Sequence, residues 1–172
     1  YALNAGTTGN YNVAVGSNAL ATNTIGDLNT AIGAKTLENN TTGVSNIAMG
    51  YNALNDNTVG YSNVAIGHDA LAKNTTGWGN VAIGTSALVT SVTTRYSTAV
   101  GHQALRYTTT GIENTAVGYL ALKSNTIGHS NVAVGQRALD LNTTGYKNVA
   151  LGHQALRVNT TGTRLTALGY GA

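Results

Sequence analysis

Cysteine, proline and phenylalanine are all missing from this chain of 172 residues, and there is one tryptophan and one methionine. Without cysteine there is neither a disulfide framework nor a thiolate metal site, and the redox compartment stays open. Charge is scarce as well, at 9% of residues against a usual ~25%. No run of 18 apolar residues occurs that would suit a membrane-spanning helix. The nine Lys/Arg and six Asp/Glu leave a net charge of +3. These cations are spread along the chain, so neither a nucleic-acid partner nor a membrane contact is expected. No secretory leader pattern is visible, and Tyr1 falls in the middle of a repeat, which reads as a fragment of a longer fibrous protein.

What is present is small and aliphatic. The 42% hydrophobic content comes mainly from Ala, Val, Ile and Leu, and so many β-branched residues argue for an ordered chain. They recur with a strict period. The glycine closing each "NVAIG" falls at 16, 33, 50, 67, 84, 101, 118, 135, 152 and 169, a spacing of 17 without insertion or deletion. An alanine stands two positions earlier in all ten repeats, and a leucine column runs unbroken from Leu3 to Leu156. A second glycine column runs from Gly9 to Gly162 with one exception, Thr94.

Two glycines, asparagine and threonine in every unit disfavour a helix. Two short apolar runs, "NVAIG" and "AL", bounded by Gly/Asn/Thr turns read as strand-turn-strand-turn. A constant period means that each unit stacks on the last. The expected fold is therefore all-β, a parallel β-solenoid of about ten 17-residue coils filling residues 1–172 as a single array. Strand pairing at ~4.8 Å per coil gives a rod of roughly 45–50 Å. Hexapeptide helices need coils of about 18 built from sixes. Calcium-binding nonapeptide rolls need an aspartate per repeat, and there are four in all. A flattened β-roll fits better.

Both faces of the strand are apolar. Val64 and Ile66 point one way and Ala65 the other. The valine and isoleucine are expected to fill the coil together with Leu71. That leaves Ala14, Ala31, Ala48, Ala65, Ala82, Ala99, Ala116, Ala133, Ala150 and Ala167 as an outward stripe on which copies pack, since strands apolar on both faces are doubly buried. Two asparagine columns, one holding Asn40, Asn57 and Asn74 and one holding Asn46, Asn63 and Asn80, are expected to hydrogen-bond coil to coil. The sequons at Asn39, Asn40, Asn74, Asn142 and Asn159 are read as turn chemistry rather than glycan sites.

All 15 charged residues fall in six columns, the two positions after each glycine and the two after the leucine. The same columns carry Tyr51, Tyr61, His68, Trp78, His102, Tyr119, His129, Tyr146 and His153, and these residue types are favoured at contact surfaces. They are the candidate contact residues. Carboxylates are few and unpaired in motif, and no serine has a His/Asp partner at a recognisable spacing. No catalytic residue, metal or cofactor is expected, and the chain does not read as an enzyme.

At "NVAIG" the sequence resembles the head repeats of trimeric autotransporter adhesins, the YadA-like head, most closely at residues 12–16, 63–67, 80–84 and 131–135. The unit "NTAVGYLALKSNTIG" (114–128) is similar to repeats of phage tail fibres. The resemblance implies a left-handed parallel β-roll that trimerises on a cell or virion surface and binds host or matrix surfaces, a glycan or a matrix protein. It also implies that the motif's valine and isoleucine fill the roll. The family's unit is usually shorter, and "ALxxNTTG" extends its outer half. Neck, stalk and anchor are not in this sequence.

The reading is thus an extracellular adhesion or fibre head module, a homotrimer contacting partners through its variable columns. A structural spacer or filament without ligand is the alternative, and ice binding through the threonine column of Thr24, Thr41 and Thr58 is a third. One repeat is broken, at 89–98, where Ser91, Thr94 and Ser97 replace Asn, Gly and Asn. Thr94 at positive φ would be strained, so a locally different corner is expected there.

Overall fold

The structure is a computed structural model describing residues 1–3 and 7–172. Each coil contributes one three-residue strand: β1 (Val13–Val15), β2 (Thr30–Ile32), β3 (Ile47–Met49), β4 (Val64–Ile66), β5 (Val81–Ile83), β6 (Thr98–Val100), β7 (Thr115–Val117), β8 (Val132–Val134), β9 (Val149–Leu151) and β10 (Thr166–Leu168). They form one sheet in the order β1 through β10. Every pair is parallel and in register at a 17-residue offset, as in Ala48↔Ala65 and Ala65↔Ala82. Among the described residues there is no helix. The chain is a β-solenoid.

β-branched residues favour the extended conformation, and glycine ends it. Gly67 lies at φ +131, and a Cβ there would sit 2.8 Å from the carbonyl carbon of Gly84 in the next coil. The turn therefore needs glycine for conformation and for space. The second glycine column needs it for space alone. Gly77 has no positive φ, but an added Cβ would run into the carbonyl oxygen of Thr94.

The "AL" run is not a second strand. Leu71 lies at φ 52, and the leucine of each neighbouring coil adopts the same left-handed conformation. Two further residues per coil do likewise, as Asn52 and Ser62 show. Backbone hydrogen bonds to adjacent coils hold these turns. Leu71 N–H donates up the stack to Ala87 O at 2.9 Å, and Asp69 N–H donates down it to Tyr51 O at 3.0 Å.

The strand faces are the reverse of the sequence expectation. Ala65 is fully buried inside the coil with Ala70 and Leu71. The same holds from Ala31 to Ala150, while Ala14 and Ala167 in the end strands pack partly buried against that core. Val64 and Ile66 point outward and keep partial exposure. The reason is volume. Each coil already places one leucine inside, and two more large side chains would overfill so small a section. The alanine column is core, not an outward oligomer stripe.

Both asparagine columns are buried at the corners, as expected. Asn57 Nδ2 donates to Asn40 Oδ1 at 2.8 Å and to Gly60 O at 3.0 Å. In the second column Asn63 Nδ2 donates to Asn46 Oδ1 at 3.1 Å and to Gly77 O at 2.9 Å. At the broken repeat Thr94 is buried and does not have positive φ, so the expected strain is absent. Coil-to-coil register persists through Thr75 N–H to Val92 O and Val92 N–H to Thr109 O. The defect lies in the ladder instead. Asn74 Oδ1 and Ser91 Oγ are both buried without a hydrogen-bond partner.

Candidate functional site

Three outward features stand out, and the first is the sheet face. Its twenty outward positions hold sixteen Val, Ile, Leu or Met side chains and four threonines, with no charge among them. The face runs the length of the array, about 43 Å at the usual strand spacing. Met49, Ile83 and Val134 are each more than a third exposed. A continuous, uncharged and largely apolar strip of this kind is a candidate interaction surface.

The second feature is the set of rings. All nine candidate contact residues stack on a ring one coil away. Tyr51 lies on His68 with centroids 5.2 Å apart, Tyr61 on Trp78 at 5.2 Å, and His102 on Tyr119 at 5.6 Å. His129 stacks on Tyr146 at 4.8 Å and His153 on Tyr170 at 4.9 Å. A 17-residue spacing within one column makes such neighbours inevitable. Tyr96, which the sequence reading passed over, meets Trp78 edge-on at 4.4 Å. His68 Nδ1 also lies 2.9 Å from Asp69 Oδ2. Among the described residues no group of three or more metal-binding side chains converges.

Charge is the third, and here the cations are not evenly spread. Up to residue 85 there are two cations and four carboxylates, net −2; beyond it there are seven cations and two carboxylates, net +5. The flank following the leucine shows the difference. In its early coils Glu38 accepts from Asn18 and Asn55 at 2.9 Å each, Asp69 accepts from Asn52 at 2.6 Å, and Lys73 donates to Asp56 at 2.8 Å. That hydrogen bond raises the Lys73 pKa above its ordinary 10.5. The later coils hold Arg106, Lys123, Arg137 and Arg157 with a single carboxylate, Asp140, which Arg137 and Arg157 approach.

Comparison with family models, with curated proteins and with solved structures gives no match to this chain. The site therefore rests on its own geometry. The threonine column is part of the frame: Thr41 Oγ1 donates to Thr58 O at 3.0 Å and Thr58 Oγ1 to Thr75 O at 3.1 Å.

Proposed function

We propose that this chain is an extracellular adhesion or fibre head module, non-enzymatic and homotrimeric, displayed on a cell or virion and touching host or matrix surfaces through its variable columns. The uncovered apolar sheet face carries the reading. A face of twenty uncharged positions loses water favourably against a like surface, at ~25 cal/mol per Å² of apolar area buried. Three parallel rods bring three such strips to a common axis, and the resemblance of "NVAIG" to the YadA-like head supports that number.

The stacked rings favour a second reading, a structural spacer or filament without ligand, because their faces already serve coil-to-coil contacts. Ice binding has no such support, since the threonine hydroxyls direct their protons along the rod to backbone carbonyls.

Sedimentation equilibrium tests the oligomer. The wild-type chain should run as three copies of the 17.5 kDa protomer. Ile66→Lys, on the outward face, should give single copies with an unchanged circular dichroism spectrum. Ala65→Lys, inside the coil, should lose the spectrum itself. A monodisperse wild-type monomer would remove the basis for the trimer.

A further inference from the structure

We infer that the cationic flank of coils six to nine is a binding strip for an anionic polysaccharide, one carrying sulfate or carboxylate groups on successive sugars. The inference rests on the reading of this chain as a surface-contact module and names the ligand class of one of its faces.

The strip is built by the repeat. Arg106, Lys123, Asp140 and Arg157 occupy the first position after the leucine in four consecutive coils. They are therefore neighbours at about 4.8 Å per coil, a row of roughly 14 Å. Arg137 joins them from the second position after glycine. Its Nε lies 3.9 Å from Asp140 Oδ2, and Arg157 Nε lies 3.8 Å from the same oxygen. Asp140 is itself buried, its side chain 8% exposed, so it anchors the two guanidinium groups while neutralising only one charge.

Arg106 lies over the Tyr107 ring at 5.1 Å, and Lys123 Nζ approaches the same ring at 5.9 Å. Four cations thus share one carboxylate, leaving a net +3. The Nε atoms of Arg106, Arg137 and Arg157 are buried without a hydrogen-bond partner, so any contact to a ligand falls to the outer ends of the guanidinium groups. In coils two to five the equivalent columns hold Lys35, Glu38, Asp56, Asp69 and Lys73, net −1, with every carboxylate already engaged as described.

A single-file row on a straight rod suits an extended linear polyanion. One sugar in such a chain advances by a length close to the coil spacing, so anionic groups along it can meet Arg106, Lys123 and Arg157 in charge-assisted contacts, with Arg137 beside the row where Asp140 interrupts it. Single-stranded nucleic acid suits it less, because base binding needs open ring faces, and the Tyr107 ring is flanked by two cations. A second copy suits it less too, as the acidic flank brings −1 to a strip of +3.

Binding to immobilised heparin, measured at low and at physiological salt, tests the inference. Wild type should bind, more tightly at low salt. Arg106→Gln with Arg157→Gln should weaken binding by about tenfold or more, through loss of two charge-assisted contacts. Lys35→Gln with Lys73→Gln removes the same net charge from the other half and should leave binding within about twofold. Unchanged circular dichroism verifies that each variant folds.

Equal losses in the two double variants would overturn the strip in favour of bulk charge. So would absence of heparin binding, or tighter binding of a single-stranded oligonucleotide. Salt-sensitive self-association abolished by the arginine pair would assign the strip to a second copy instead. Failure here with an intact trimer leaves the module reading standing. Loss of the trimer with heparin binding retained does the reverse.

Discussion

Leucine at φ near +50 is an unusual choice, because the left-handed conformation costs a non-glycine residue about 1–2 kcal/mol. Leu71 holds it at φ 52, as does each leucine of its column described in the adjacent coils. The position is kept because burying a leucine side chain contributes about 1.5–3 kcal/mol, and the N–H to Ala87 O bond closes the turn. Leu71→Ala retains the conformational cost, loses the burial and leaves a cavity in mid-stack. It should lower stability by ~2–5 kcal/mol in urea titration. Asp69→Asn, two residues earlier at φ 56, should stay within about 0.5 kcal/mol, since asparagine tolerates this region and the site is partly exposed. Equal losses for the two would contradict the placement of Leu71 as the large residue of the core.

At the scale of the element, the amide columns tie coil to coil, and the broken repeat shows what they contribute. Asn74 Oδ1 lacks a donor because residue 91 is serine. Ser91→Asn would supply one by extending the Asn57–Asn74 ladder, and should raise stability by about 1 kcal/mol, read from the thermal midpoint. No gain, or a loss, would mean that the corner cannot admit the larger side chain. Much of this was legible beforehand. Strict 17-residue spacing in Gly, Ala, Leu and Asn columns called for a parallel solenoid, for the strands at "NVAIG", and for stacked amides at the corners. The strand faces were misread because both are apolar, and hydropathy cannot choose between them. Variation in size does choose. Ala65 and its equivalents never vary, while the flanking positions range over Val, Ile, Thr, Met and Leu, as an outward face allows. The "AL" turn was hidden because leucine carries no signal for positive φ. The shared columns of the rings were legible, but their coil-to-coil stacking was not read from them, and the cationic strip was obscured by treating nine cations as one even scatter.

Among the described residues each strand contacts only the strands of adjacent coils, through a ladder whose register never shifts. Stability in such an array is approximately a sum of coil terms and nearest-neighbour terms. Charge breaks the uniformity, with net −2 before residue 86 and net +5 after it, while the backbone repeats unchanged. The coil thus tolerates wide exchange at its six variable columns and almost none at its alanine, leucine and glycine columns. The uniform ladder also makes the rod a ratchet under load. Tension between its two ends, applied along the axis, pries off the terminal coil before the one beneath feels it, so rupture proceeds coil by coil and not all at once. Each coil of 17 residues releases a contour length of about 55 Å on going from ~4.8 Å of rod to extended chain. Single-molecule pulling on the chain should give a sawtooth of evenly spaced rises, with the weakest tooth at the broken ladder of Ser91. One cooperative rupture of the full length would contradict nearest-neighbour stacking. A rod that yields in small steps would spread a sudden pull over many separate ruptures instead of one.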